Sequence, residues 1–162
     1  LRFYYTGRFD DAVEMQREAL KYAPDDHRVW GRLAESLRFS SQDDGESRDA
    51  YERARDLAER NLEVNPSNWE TLGLLALYSA HLGDNGALSL AEQAVDVSNA
   101  DAEALYFEAL VLLELSQPDA AVDRLTRAVD ADPSFVQIMR DDPDLTQLRG
   151  RSGFDTLVTP EG

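Results

Sequence analysis

Apolar residues recur along this chain at the three-and-four spacing of helices that bury one face. Within Trp30-Gly31-Arg32-Leu33-Ala34-Glu35-Ser36-Leu37, the residues Trp30, Leu33, Ala34 and Leu37 share a helical face. Leu72, Leu75 and Ala76 repeat the arrangement, as do Leu105, Ala109 and Leu112. These segments and the turn residues between them predict helices over 9–22, 26–40, 47–64, 69–82, 86–97, 102–115 and 118–131. Residues 1–6 read as the end of a further helix and 134–140 as a short closing one. Pro118 suits the first turn of a helix, where its missing N–H costs nothing. Ser40-Ser41-Gln42-Asp43-Asp44-Gly45-Glu46 is a polar loop. The chain opens on Leu1 rather than Met, as expected of a piece of a longer protein.

A period underlies the pattern. Ala12, Ala54, Ala87 and Ala121 fall in one column, Ala19, Asn61, Ala94 and Ala128 in a second, and Pro24, Pro66, Asn99 and Pro133 in a third. All three columns advance by the same steps, 42, 33 and 34 residues, so the first is longer than the others. That excess places an insertion between Ala19 and Ala54. Because Ala54 and everything after it stay in register, the insertion is expected at a hairpin tip. Small residues stand where two helices approach closely, and proline, or once Asn99, stands where a helix must stop.

With the columns in place, the chain resembles tetratricopeptide repeats. Trp30-x-x-Leu33-Ala34-x-x-Leu37 is similar to the first-helix signature, and Ala121-x-x-x-Leu125-x-x-Ala128 followed by Pro133 to the second. Gly7-Arg8-Phe9-Asp10-Asp11-Ala12 and Leu82-Gly83-Asp84 resemble the turn between them. The resemblance implies an all-α fold, a right-handed α-solenoid of antiparallel helix hairpins. Its repeats would cover 1–133: a partial one over 1–26, then 27–68 with the insertion at 40–47, 69–101 and 102–133. Capping helices would follow over 134–162. Two departures stand out. Asn61 replaces the usual alanine and Glu108 the usual leucine, so both are expected to pack loosely or turn outward. The tail, with Asp141-Asp142-Pro143-Asp144-Leu145-x-x-Leu148-Arg149 and Gly153-Phe154-Asp155-x-Leu157-Val158, resembles the closing repeat segment of bacterial multidomain signalling proteins, eukaryotic-type serine/threonine kinases and nucleotide cyclases among them. No kinase or cyclase domain accompanies it.

Charge narrows the partners. Against 16 basic residues stand 32 acidic ones, for a formal net charge of −16. Such a field repels nucleic acid and anionic lipid. Lys21 is the single lysine among the basic residues. That arginine bias and the abundance of aspartate resemble the acidic surfaces of proteins from salt-loving organisms. The longest apolar run, Leu72 to Leu82, is interrupted by Gly73, Ser79 and His81 and falls short of the ~18 residues a membrane span needs. The chain has no cysteine, so disulfides, thiolate catalysis and cysteine-held zinc are excluded. These features agree with a cytoplasmic location.

No catalytic, cofactor or metal site emerges from the residue patterns. His27 and His81 have no partner histidine at metal-ligand spacing. No glycine-rich phosphate loop occurs. Asp43-Asp44-Gly45-Glu46 and Asp141-Asp142-Pro143-Asp144 lack the alternating ligands of a calcium loop and read as capping and turn residues.

The expected working surface is therefore the concave face, which stacked hairpins line with their first helices. Its candidate partner-binding residues are Arg28, Arg32, Arg38 and Phe39 from the second hairpin, Leu77 and His81 from the third, and Tyr106, Leu110 and Leu113 from the fourth. Gly31 and Gly73 fall on the same face. Arginines gather at one end and apolar residues at the other. The lysine-asparagine-arginine clamp that some tetratricopeptide domains use for chaperone C-termini is absent in the covered repeats. The expected function is binding of a protein or peptide, as a scaffold or sensory part of a larger bacterial protein. The alternative is self-assembly into a homo-oligomer through exposed repeat ends. The apolar half of the groove is also where the C-terminal tail would lie if it serves as a cover.

Overall fold

The computed structural model describes residues 2–41 and 45–159, with side chains from Tyr4 onward. Its helices are α1 (Arg2–Tyr5), α2 (Phe9–Leu20), α3 (His27–Phe39), α4 (Glu46–Val64), α5 (Trp69–Leu82), α6 (Ala87–Ser98), α7 (Ala102–Glu114), α8 (Pro118–Ala131), α9 (Phe135–Asp141) and α10 (Ser152–Val158). A 3-10 helix, Pro143–Leu148, lies between the last two. Consecutive helices pack on one another as antiparallel hairpins, α3 with α4, α5 with α6 and α7 with α8, and α5 also packs along α7. The result is an all-α solenoid of helical hairpins.

Local chemistry starts each first helix in the same way. The Asp26 carboxylate accepts a hydrogen bond from the Arg28 N–H at 2.9 Å, the Asn68 amide oxygen from Thr71 at 3.1 Å, and Asp101 from Glu103 at 2.9 Å. Each satisfies an N–H that the helix cannot pair internally. At the other end, Asn99 takes the place of proline because it adopts a left-handed conformation, φ 58°, and lets the Ala100 N–H close back on the Val95 carbonyl at 2.8 Å.

The alanine columns mark the close contacts. Ala54, Ala87, Ala94, Ala121 and Ala128 are wholly buried. Asn61 is exposed, as expected for a polar residue in that column. The insertion does lengthen a hairpin tip, but only part of it is loop. Ala54 is the ninth residue of α4, whereas Ala87 opens α6, so α4 begins about two turns earlier. Residues 42–44 of the expected loop lie outside the described residues.

Two expectations need correction. Glu108 does not turn outward: it is 2 % exposed, and the Arg124 guanidinium of α8 donates to its carboxylate at 2.7 Å. An arginine brought in from the second helix neutralises the buried acid. Gly31 and Gly73 do not line an open groove either. A Cβ on Gly31 would stand 2.5 Å from the Tyr78 ring, and one on Gly73 would stand 2.5 Å from Phe107. Both glycines let an aromatic ring of the next first helix lie against the backbone.

Candidate functional site: the inner face of the first helices

The face formed by α3, α5 and α7 carries the predicted residues, and the structure divides them into two groups. The first is an ionic and aromatic centre. From the last turn of α3, Arg38 Nη1 donates to His81 Nε2 of α5 at 2.8 Å. His81 Nδ1 lies 3.3 Å from a carboxylate oxygen of Glu114 in α7. The two contacts together are served by the tautomer with hydrogen on Nδ1, which donates to Glu114 and accepts from Arg38. Tyr51 of α4 stacks on the imidazole with centroids 4.6 Å apart. The hydrogen bond from His81, working against burial, holds the Glu114 carboxyl below the usual carboxylate range. Phe39 belongs to a neighbouring aromatic cluster, stacked on Phe9 at 5.1 Å and meeting Tyr4 edge-on.

The second group is the apolar floor of Leu77, Tyr106, Leu110 and Leu113, each buried. What buries it is the tail. Leu145 and Leu148 of the 3-10 helix are 1 % and 0 % exposed, and they join a core shared with these residues. A gap of about 10 Å³ is left between Leu77, Leu110, Leu113 and the tail, no more than a single water could fill.

The same tail brings carboxylates to the ionic centre. Asp144 accepts from Arg38 Nη2 at 2.9 Å and from the Tyr4 hydroxyl at 2.5 Å. Asp142 accepts from the Tyr106 hydroxyl and, at 2.8 Å, from the Asp144 N–H, so it caps the 3-10 helix as its sequence context suggests. Burial, reinforced by Asp144, pushes the Asp142 carboxyl up to about 6. Glu35 of α3 makes no hydrogen bond among the described residues. Loss of water, then the charges of Asp144 and Asp142, push it up to about 8. Burial and Asp142 drive the Tyr106 phenol well above its ordinary range, so it remains a donor.

Arg28 and Arg32 stand apart from this centre. Arg28 is tied to Asp26 at 2.9 Å, and Arg32 is exposed and forms no ion pair among the described residues. Near Arg28, a polar groove of about 500 Å³ runs between the loops before α3 and α5, past Asp25, Asn61, Asn68 and Glu70. Sequence reasoning missed Tyr4, Asp142 and Asp144 as members of the inner face. The Asp-Pro-Asp-Leu phrase was visible, but nothing in its spacing says which face it meets.

Among known proteins, the family described as tetratricopeptide repeat matches residues 1–61 and 85–135. The fold is similar to the tetratricopeptide protein TTC0263 of Thermus thermophilus, at TM-score 0.56 and 19 % identity, over 82 % of this chain and 70 % of that one. It is also similar to the protein MamA in two crystal structures. One has TM-score 0.52 and 16 % identity over 97 % of this chain and 86 % of that one. The other has TM-score 0.51 and 16 % identity over 97 % and 81 %. No curated protein matches the chain in sequence.

Proposed function

We propose, from the premise that this chain belongs to the tetratricopeptide repeat family, that it binds a protein or peptide partner on the inner face of its first helices. Members of the family are generally non-catalytic modules for protein–protein interaction. One observation supports the reading most directly. The inner face already holds a short acidic and apolar segment, with Arg38 on its carboxylate and Leu77, Leu110 and Leu113 beneath its leucines. Arg28 and Arg32, with Phe39 beside Arg38, extend the arginine end beyond the tail. Arginine holds carboxylates bidentately, so the ligand offers acidic groups there. In this reading the protein acts in the cytoplasm as a scaffold or sensory part of a larger bacterial protein, as the tail resemblance suggests. It leaves nucleic acid and membranes aside, because its acidic field repels both. No helix among the described residues is long and apolar enough to cross a membrane.

The test exploits the exposed arginines. Replace Arg28 and Arg32 together with glutamate, and charge-reverse Arg60 and Arg127 on second helices as a control. Capture of the native partner is expected to fall at least tenfold in the first variant only. Undiminished capture by a folded Arg28/Arg32 variant moves the binding surface elsewhere.

Self-assembly, the second reading, has one observation in its favour. Tyr22, Val64 and Val97 fall in one repeat column at the ends of second helices and are 83 %, 86 % and 43 % exposed. If they join two copies, light scattering shows a dimer that Tyr22→Ser with Val64→Ser dissolves. A monomer at all concentrations removes this reading.

A further inference from the structure

The closing turn of the chain sits on the inner face in the manner of a ligand. Its holders are remote in sequence. Arg38 lies 106 residues before Asp144 and Tyr4 lies 140 before it, while Tyr106 lies 36 before Asp142. They come from α1, α3 and α7, and the α5 residue His81 supports Arg38 from behind. Each of these polar contacts is made by a side chain, and together with the core they read four positions of the segment: Asp144 by a guanidinium and a hydroxyl, Asp142 by a hydroxyl, and two leucines by burial. A cover that only closed a helix array would need apolar contacts alone. Placing carboxylates here is costly, since charges leaving water must be repaid by their partners. The repayment is incomplete, because Asp142, Asp144, Glu35 and Glu114 crowd around one partly buried guanidinium and one imidazole, with Arg32 at the margin.

We infer that the turn Asp142–Leu148 is a resident self-ligand, and that the inner face accepts in its place a peptide of the same chemistry: a carboxylate, a proline, a second carboxylate and a leucine, with another leucine three residues on. This deepens the interaction reading by stating what the face recognises, and it rests on that reading only for the choice of face. The charge crowding keeps the tail exchangeable, while its tether supplies an effective concentration that an outside peptide must overcome. A partner that carries the motif then displaces the tail, and binding and tail release become one equilibrium.

The probe is a fluorescent synthetic nonapeptide with the sequence of residues 141–149, read by anisotropy against the full chain. In wild type the tethered copy competes, so binding is expected to be weak. Asp144→Arg places like charges beside Arg38 and expels the tail, and this variant is expected to bind the nonapeptide at least tenfold more tightly. Adding Arg38→Ala is expected to abolish the gain. An Asp144→Arg variant with intact helical circular dichroism that binds no peptide overturns the proposal. Where that variant loses helicity, hydrogen exchange on the wild type decides. Exchange of the Leu145 and Arg149 amides at least tenfold faster than that of buried α5 amides supports a tail that opens locally. Exchange at the common, global rate makes the tail a fixed cover and overturns the proposal. Neither experiment uses the native partner. Failure here with capture still lost in the Arg28/Arg32 variant leaves the interaction reading standing, whereas peptide exchange with capture unchanged overturns that reading alone.

Discussion

Arg38 and Asp144 form an ion pair 2.9 Å long between the second hairpin and the closing turn, and it is two-thirds of the chain that this contact spans. Arg38 and Asp144 are 25 % and 16 % exposed in their side chains, so water screens the pair only in part. Removing a charged hydrogen bond of this kind costs ~2 kcal/mol. Arg38→Ala is expected to show that loss in denaturant titration, and to speed hydrogen exchange in residues 143–149 before anywhere else. Unchanged exchange there would mean that the leucines alone hold the tail.

Glu108 and Arg124 set up a comparison between two single changes. Arg124→Ala leaves a buried carboxylate without its cation and is expected to cost about 3 kcal/mol. Glu108→Leu restores an apolar residue on α7 and frees a half-exposed arginine that can turn to water, so it is expected to cost under about 1 kcal/mol. Equal costs for the two in chemical denaturation would contradict the view that burial of the acid, rather than loss of the pair, sets the penalty.

Gly31 and Gly73 carry the contacts between successive first helices. Gly31→Ala and Gly73→Ala each introduce a methyl group where a ring now lies, and each is expected to cost about 1–3 kcal/mol through overpacking. Ala128→Arg, at a helix contact with no exposed surface, is expected to cost more than ~3 kcal/mol. A neutral melting curve for the Ala128 variant would deny the close hairpin contact.

Much of this architecture was legible in the chain because a repeat states its own period. Three columns of small and turn residues fixed the helix pairs, and α3 through α8 fall within two residues of the expected spans. Glu108 escaped because the column shows only that leucine is missing. Its partner Arg124 is sixteen residues away on another helix, and arginines are common on that face. Gly31 and Gly73 were misjudged because helical spacing assigns a residue to a face without saying whether a neighbouring ring already fills it. Helical spacing put Arg38 at an arginine end and Leu77 and Tyr106 at an apolar end of one face; the structure sets His81 against Arg38 and buries Leu77 and Tyr106 in one core with the closing turn. The tail over the apolar half was one of two open readings, but its carboxylates on Arg38, Tyr4 and Tyr106 were not readable, since a turn motif of aspartates caps a helix equally well wherever it lies.

Net charge bears on the whole fold. A chain with a formal charge of −16 repels itself, and screening shortens from ~30 Å at 0.01 M salt to ~3 Å at 1 M. The melting temperature is expected to rise with sodium chloride toward 1 M. A flat or falling response removes the argument for a salt-adapted surface.

Glu35 gives the fold a pH dependence with a definite sign. Unfolded, its carboxyl titrates in the ordinary range, while in the fold it titrates near 8. The folded state therefore binds more protons between those values, and stability falls as pH rises through about 8. Arg32 and Arg38 on the same helix oppose the shift; Asp142 and Asp144 from the tail reinforce it. The phenols of Tyr4, Tyr5, Tyr51 and Tyr78 around it are themselves pushed upward, so they add no charge in this window. Asp142, at about 6, has largely ionised by pH 7. Burial lowers His27, which makes stability rise with pH, but only up to the ordinary imidazole range. The interval from pH 7 to 9 thus isolates Glu35. Across it the melting temperature of the wild type is expected to fall by roughly 3 °C. Glu35→Gln, which keeps the shape and removes the proton, is expected to flatten the curve and to slow exchange in the closing turn at pH 9. A wild-type curve already flat over that interval would place Glu35 in ordinary contact with water, and the crowding of acids around Arg38 would then no longer explain a loosely held tail.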